Sequence, residues 1–153
     1  MSSGAEGDPV SLARKRSATF YNRKFVMTST PTVKGASRIE ASYNQSDQRK
    51  YHVPCPDCET YQELKWSNVK WEKGQPETAV YVCNKCEYEW TDADRLRSIR
   101  KGKWIASKKF NGIAGFHLSG LYSGWTSLKD GAIEFYQARK LLSGIMGGRG
   151  RTS

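Results

Sequence analysis

The four cysteines fall in two pairs of identical spacing, Cys55-Pro56-Asp57-Cys58 and Cys83-Asn84-Lys85-Cys86, with 24 residues between the pairs. Two residues between thiols let one tight turn aim both sulfurs at a single point. Two such turns supply the four corners of a tetrahedron around Zn²⁺. Each pair follows a β-like run, His52-Val53 or Tyr81-Val82. The pattern therefore reads as a zinc ribbon, although its insert slightly exceeds the commonest spacing. Two disulfides would need an oxidising compartment, and a thioredoxin-like redox pair would need one pair in a βαβ frame. With four protein ligands the site is closed, which makes the zinc structural rather than catalytic. His52, three residues before Cys55, is the remaining candidate ligand, against a reading as an ordinary strand residue. His117, within Gly115-Phe116-His117-Leu118, reads as a satisfied core histidine.

A second stretch with chemical potential is Phe25-Val26-Met27 followed by Thr28-Ser29-Thr30-Pro31-Thr32 and then Lys34-Gly35. Strand, small polar turn and helix is the layout of a phosphate-binding turn. Yet the 153 residues contain no Gly-rich loop ending in Gly-Lys-Ser/Thr. Neither paired carboxylates nor a Ser/His/Asp set stands out, so no catalytic residue is assigned. In the last third Asp130 and Glu134 are too few to hold two metal ions.

These residues need elements to hold them. Residues 1–46 read as one αβα unit. Asp8 caps a helix that Pro9 opens, with Val10, Ala13, Ser17 and Phe20 as its stripe and Asn22 near its end. Residues 24–29 read as a strand and Ala36 to Tyr43 as a second helix. A lone strand cannot satisfy its own backbone groups, so it needs a neighbour, which the later β-rich part could supply. Residues 47–90 are the ribbon, with strands at Arg49 to Val53, Tyr61 to Trp66, Ala79 to Val82 and Tyr88 to Trp90. In residues 91–142, Thr91 caps a short helix, strand-like runs occupy 104–119, and Ser127 to Leu142 form a helix. Residues 143–153 read as a Gly-rich basic tail. The fold class expected is α+β.

The net charge is +10, and it is uneven: +5 over residues 1–50, −2 over 51–100 and +7 over 101–153. A basic balance of this size favours an acidic partner, foremost nucleic acid. The bland alternative is that these charges are simply solvated. Trp66, Trp71, Trp90 and Trp104 divide between two roles, base stacking and the core that so small a ribbon needs. No run is long enough to span a bilayer. The first residues lack the basic start and apolar centre of a signal peptide. A reducing cytoplasm is the expected compartment.

Together these motifs resemble the large terminase subunit of tailed bacteriophages, the lambda-type family that packages DNA. The resemblance runs through "EGDPVSLARKRSATFYNRKF", "STPTVKGASRIEASYNQSDQRKYHVPCPDCETYQELKW", "YVCNKC" and "GIAGFHLSGLYSGWTSL", about residues 6–142. It implies that Ser29, Thr30, Pro31 and Thr32 form the motif coupling ATP hydrolysis to movement on DNA. It also implies that Cys55, Cys58, Cys83 and Cys86 hold a structural zinc. The phosphate loop and acidic Mg²⁺ strand would lie ahead of Met1, and the acidic nuclease ligands beyond this segment. ATP, Mg²⁺, ATPase and endonuclease activity would then belong to the whole protein. So would double-stranded DNA, the small terminase subunit and the portal and capsid as partners, in the host bacterial cytoplasm. Gly124 departs from the family, which usually has Pro there, and the tail after Leu142 no longer resembles it. The chain thus reads as an internal slice of a packaging motor, a truncated reading frame such as a prophage remnant. It would combine the end of an ATPase domain, a ribbon and the entry to a nuclease, and be inactive alone. The other readings are a free-standing zinc-ribbon protein that binds nucleic acid and a complete small enzyme.

Overall fold

The computed structural model describes residues 8–30 and 37–147, with side chains to residue 143. The chain divides into two units, residues 1–42 and 43–153.

In the first unit, α1 (Pro9–Arg16) begins as its sequence requires. The Asp8 carboxylate accepts the Ser11 N–H at 3.2 Å, Pro9 occupies the first turn, and Arg14, Lys15 and Arg16 close the last. The helix ends at Ser17, short of the expected Asn22, so Phe20 lies beyond it and is exposed. The strand expected over residues 24–29 does not form. Those residues carry no regular structure, and Val26 is 79% exposed. Among the described residues no strand pairs with them, and an unpaired strand has no stability of its own. The second helix does form, as α2 (Arg38–Asn44), and its expected start at Ala36 lies outside the described residues.

The second unit is α+β. Strand β1 (Arg49–Pro54) is central. It pairs antiparallel with β2 (Tyr61–Glu63) along one part of an edge. β3 (Val69–Glu72), β4 (Gln75–Val82) and β5 (Glu89–Trp90) form a second, antiparallel sheet. Gly74 takes the left-handed turn position, φ +81°, between β3 and β4. After α3 (Asp92–Arg100), β6 (Lys103–Ala106) returns to β1 antiparallel, placing Trp104 opposite Tyr51. β7 (Phe116–His117) adds a short parallel pairing, with Phe116 opposite Arg49. α4 (Leu128–Gly147) then packs on β3 and β4.

Alternation explains the sheets. Val53, Leu64, Val69, Tyr81 and Trp90 point inward with Leu121 and Leu128 to make one core, which Cys55 and Cys83 join. The Tyr81 and Trp90 rings lie 5.1 Å apart. Trp66 and Trp71 pack against Phe135 of α4 at 5.5 and 6.1 Å. Of the four tryptophans weighed above, Trp90 is buried, Trp66 and Trp71 are half-buried and Trp104 is the most open.

Two buried polar residues and the half-buried Tyr122 lock the second unit together. Arg95, 2% exposed, donates to the Asp92 carboxylate and to the carbonyls of Leu121, Ser123 and Thr126. Asp92 in turn accepts the Leu128 N–H at 3.1 Å, so one ion pair fixes α3 to the start of α4. Asp47 is fully buried; its carboxylate accepts from Arg49 Nε at 2.8 Å and the Gly115 N–H at 3.1 Å. Tyr122 Oη donates to the Tyr51 carbonyl and accepts the Leu64 N–H at 2.9 Å. Each satisfies groups that would be costly if left bare.

Candidate metal centre

Both cysteine pairs sit where a strand ends and the chain must reverse. Cys55 follows β1 and Cys83 follows β4. The two turns are built alike. The Cys55 N–H donates to the Thr60 carbonyl at 3.0 Å, and the Cys83 N–H to the Tyr88 carbonyl at 3.0 Å. Directly after the second cysteine of each pair, Glu59 and Glu87 take positive φ, +56° and +60°. The left-handed residue closes each loop; within it the N–H groups of Asp57 and Cys58 reach Cys55, and those of Lys85 and Cys86 reach Cys83.

The four sulfurs converge. All ligand atoms lie within 4.8 Å of one another, with Cys55 to Cys86 at 3.7 Å and Cys58 to Cys83 at 3.8 Å. A tetrahedron with Zn–S bonds of about 2.3 Å has sulfur–sulfur edges of about 3.8 Å. A disulfide would require about 2.05 Å, and all four thiols are free. The spacing therefore fits a single tetrahedral ion and excludes disulfides in this arrangement.

The electrostatics agree. Burial pushes the Cys83 thiol up, but the Cys86 and Lys85 N–H groups and the Gln62 amide outweigh it and bring it down to about 6. The Thr60 hydroxyl and N–H hold Cys58 below the ordinary thiol value. Cys55 is raised, chiefly by burial. At Cys86 the Tyr88 N–H pulls down, yet burial and the other three sulfurs push the thiol up to about 12. A cation at the centre of such a cage would favour the thiolate form of all four sulfurs.

Gln62 is the residue that sequence patterning misses here. It is buried on β2, its amide donates to Cys83 Sγ at 3.2 Å, and its carbonyl accepts the Asn84 N–H at 3.2 Å. The signal was present: Gln62 occupies the inward-facing place between Tyr61 and Glu63, where a polar side chain must have a partner.

Of the other candidates, His52 is turned away, with Nδ1 3.1 Å from the Lys50 carbonyl. Among the described residues the four cysteines form the one metal-competent cluster, and His52 is outside it. His117 is not a core residue. It is exposed at the end of the sheet, its ring 5.9 Å from Tyr43, because β7 is too short to be covered on both faces. Ser29 and Thr30 are exposed, with Ser29 Oγ donating to the Thr30 carbonyl at 3.1 Å. Pro31 and Thr32 lie outside the described residues. Asp130 accepts from Ser127 Oγ at 2.7 Å and helps to cap α4.

Together, elements and sulfurs make this a mixed helix-and-sheet chain with two matched cysteine turns that could hold a metal ion. Residues 1–104 match the family described as "Phage terminase large subunit gpA, ATPase domain". The chain belongs to that family. It is 34% identical over 109 residues to the terminase large subunit of Enterobacteria phage P21, covering 65% of this chain. It is 33% identical over 129 residues to that of Escherichia phage lambda, covering 75% of this chain. These alignments span only 16% and 19% of the two relatives. No solved structure matches the chain. No described helix is long and apolar enough to cross a membrane.

Proposed function

We propose that residues 47–90 form a Cys₄ zinc ribbon that serves as a rigid spacer inside a DNA-packaging terminase. Cys55, Cys58, Cys83 and Cys86 would hold the ion, and the ion would supply charge neutralisation and rigidity rather than chemistry. The sulfur spacing of 3.7 and 3.8 Å carries this reading.

On this reading the ribbon separates an ATPase end, with Ser29, Thr30, Pro31 and Thr32 as its coupling motif, from a segment leading toward a nuclease. ATP and Mg²⁺ bind elsewhere in the whole protein, and the ribbon takes no catalytic step. Double-stranded DNA is met by the basic flanks, because residues 51–100 are net −2. Such contact is non-specific and salt-sensitive, since counterion release drives it. The small subunit, portal and capsid are partners of the assembled motor in the host cytoplasm. A free-standing nucleic-acid-binding ribbon is the second reading, favoured by the +7 of residues 101–153.

Metal analysis of the purified chain tests the ribbon. One Zn²⁺ per chain is expected, with loss of metal in Cys83→Ser. A metal-free, folded chain with four reactive thiols contradicts it. Affinity for two unrelated duplexes against salt separates the readings. Equal, steeply salt-dependent binding fits the spacer, whereas a preference above about tenfold (about 1.4 kcal/mol) favours the free-standing reader.

A further inference from the structure

Of the four tryptophans weighed for base stacking, Trp90 is buried and Trp66 and Trp71 are half-buried against Phe135, whereas Trp104 is the most open. It is 37% exposed on β6, and its ring meets Phe116 of β7 edge-on, 5.0 Å between centroids and 83° between planes. Phe116 and Phe110 are 54% and 56% exposed. Between them stands the Arg49 guanidinium, 5.2 Å from the Phe116 centroid and 6.0 Å from that of Phe110. Buried Asp47 holds Arg49 by its Nε at 2.8 Å. The planar cation is thus fixed against two exposed rings, Phe116 and Phe110, with Trp104 behind Phe116, before any partner arrives.

The surrounding charge selects the partner. From Lys101 to Lys129 the chain carries no acidic residue. The loop that presents Phe110 also carries Lys108 and Lys109, and the Lys108 N–H is anchored on the Asp47 carbonyl at 3.0 Å. Asp47 neutralises Arg49, so Arg49 acts here as a flat surface and the lysines supply the net charge. An apolar protein surface would gain nothing from the lysines. A duplex hides its base faces, so it would gain nothing from the rings. Unpaired DNA offers both a π-face and a phosphate at each nucleotide.

We infer that Arg49, Trp104, Phe110 and Phe116, with Lys108 and Lys109, form a stacking surface for single-stranded DNA. It does not depend on the spacer role proposed for the ribbon. It would take the unpaired bases of a frayed or cut end without reading their sequence.

The test uses the zinc-loaded full chain, a labelled thymidine 20-mer and a duplex of equal length, followed by fluorescence anisotropy. Phe110→Leu and Phe116→Leu keep apolar bulk and remove the ring. Each should weaken single-strand binding about fivefold or more and leave the salt slope unchanged. Lys108→Ala with Lys109→Ala should lower that slope by one to two. Metal content and melting temperature establish that each variant is folded. Duplex affinity should be indifferent to the ring variants, which separates this surface from the duplex contacts proposed above. Unchanged single-strand affinity in both folded ring variants overturns the inference. So does a ring-dependent self-association, seen by sedimentation, in place of a ring-dependent affinity for the 20-mer. If either ring variant misfolds, Arg49→Lys, which removes the planar group and keeps the charge, must give the same selective loss or the inference fails.

Discussion

The two units answer the same burial problem in opposite ways. Among the described residues of the first unit none is buried, and Tyr21 is 100% exposed. The second unit buries Trp90, Tyr81 and Val53 almost completely and adds four converging sulfurs to that core. Both have good local signals. Asp8-Pro9 starts α1 as correctly as Thr91 starts α3. The difference is that, among the described residues, only the second unit supplies its own strand neighbours and a cluster of converging cysteines. Local propensity starts a helix; closing a core takes partners distant in sequence.

That contrast can be broken from the strong side first. Removing the metal should have the largest effect. Structural zinc is worth roughly 10–16 kcal/mol in small domains, against roughly 5–15 kcal/mol of net stability for a domain. Chelation should therefore abolish the cooperative thermal transition of the second unit. A circular-dichroism melt before and after chelation checks this.

The next effect in size concerns Arg95. Arg95→Ala leaves the Asp92 carboxylate and three carbonyls without their shared donor, at a cost of about 3 kcal/mol. Urea unfolding of the zinc-loaded chain should show this as a lowered midpoint. The same measurement on Arg14→Ala, an exposed residue of α1, should show almost no change.

Acid should act through Asp47 and Asp94. Burial opposes ionisation of Asp47, but Arg49 and the Gly115 N–H hold its carboxyl below the ordinary range. The Thr91 N–H, with the Thr91 hydroxyl and Arg97, outweighs burial and does the same for Asp94. A depressed folded-state pKa stabilises the fold above the unfolded value, about pH 3.9, and that stability is lost as pH falls through the folded value. Asp47→Asn should thus melt well below the parent chain at pH 6, and the gap should close below about pH 4. A gap that stays constant with pH would show that the carboxylate's charge contributes nothing.

Caps give the smallest effect and the sharpest comparison. Thr91→Ala removes half of a capping box in a packed helix and should cost about 1 kcal/mol. Asp8→Ala removes an equivalent cap from a helix with no buried residue. It should leave the main unfolding transition unmoved and change only the helical content of the first unit.

What the sequence could reveal divides along the same line. The cysteine turns, the Thr91 cap and α4 are local patterns, and each is legible within a few residues. α4 was expected from Ser127 to Leu142 and is observed as Leu128–Gly147. β3 was missed although Val69-Lys70-Trp71-Glu72 alternates ahead of a Lys73-Gly74 turn, so that signal was available. The role of Arg95 was not, because its carbonyl partners lie 26 to 31 residues further on. The same holds for Asp47, whose partner Gly115 is 68 residues away. The strand expected at residues 24–29 failed for the complementary reason: its apolar run is correct, but no described strand pairs with it.

Hydrogen exchange followed by mass spectrometry, on one sample before and after metal removal, tests most directly whether the sulfur cage makes the second unit self-sufficient. With zinc bound, amides of β1, β4 and α3 should exchange slowly while those of residues 9–30 exchange quickly. After chelation the protection of β1 and β4 should collapse to the level of residues 9–30. Undiminished protection of β1 and β4 in a metal-free chain with four reactive thiols would contradict the structural role of the cysteine cluster.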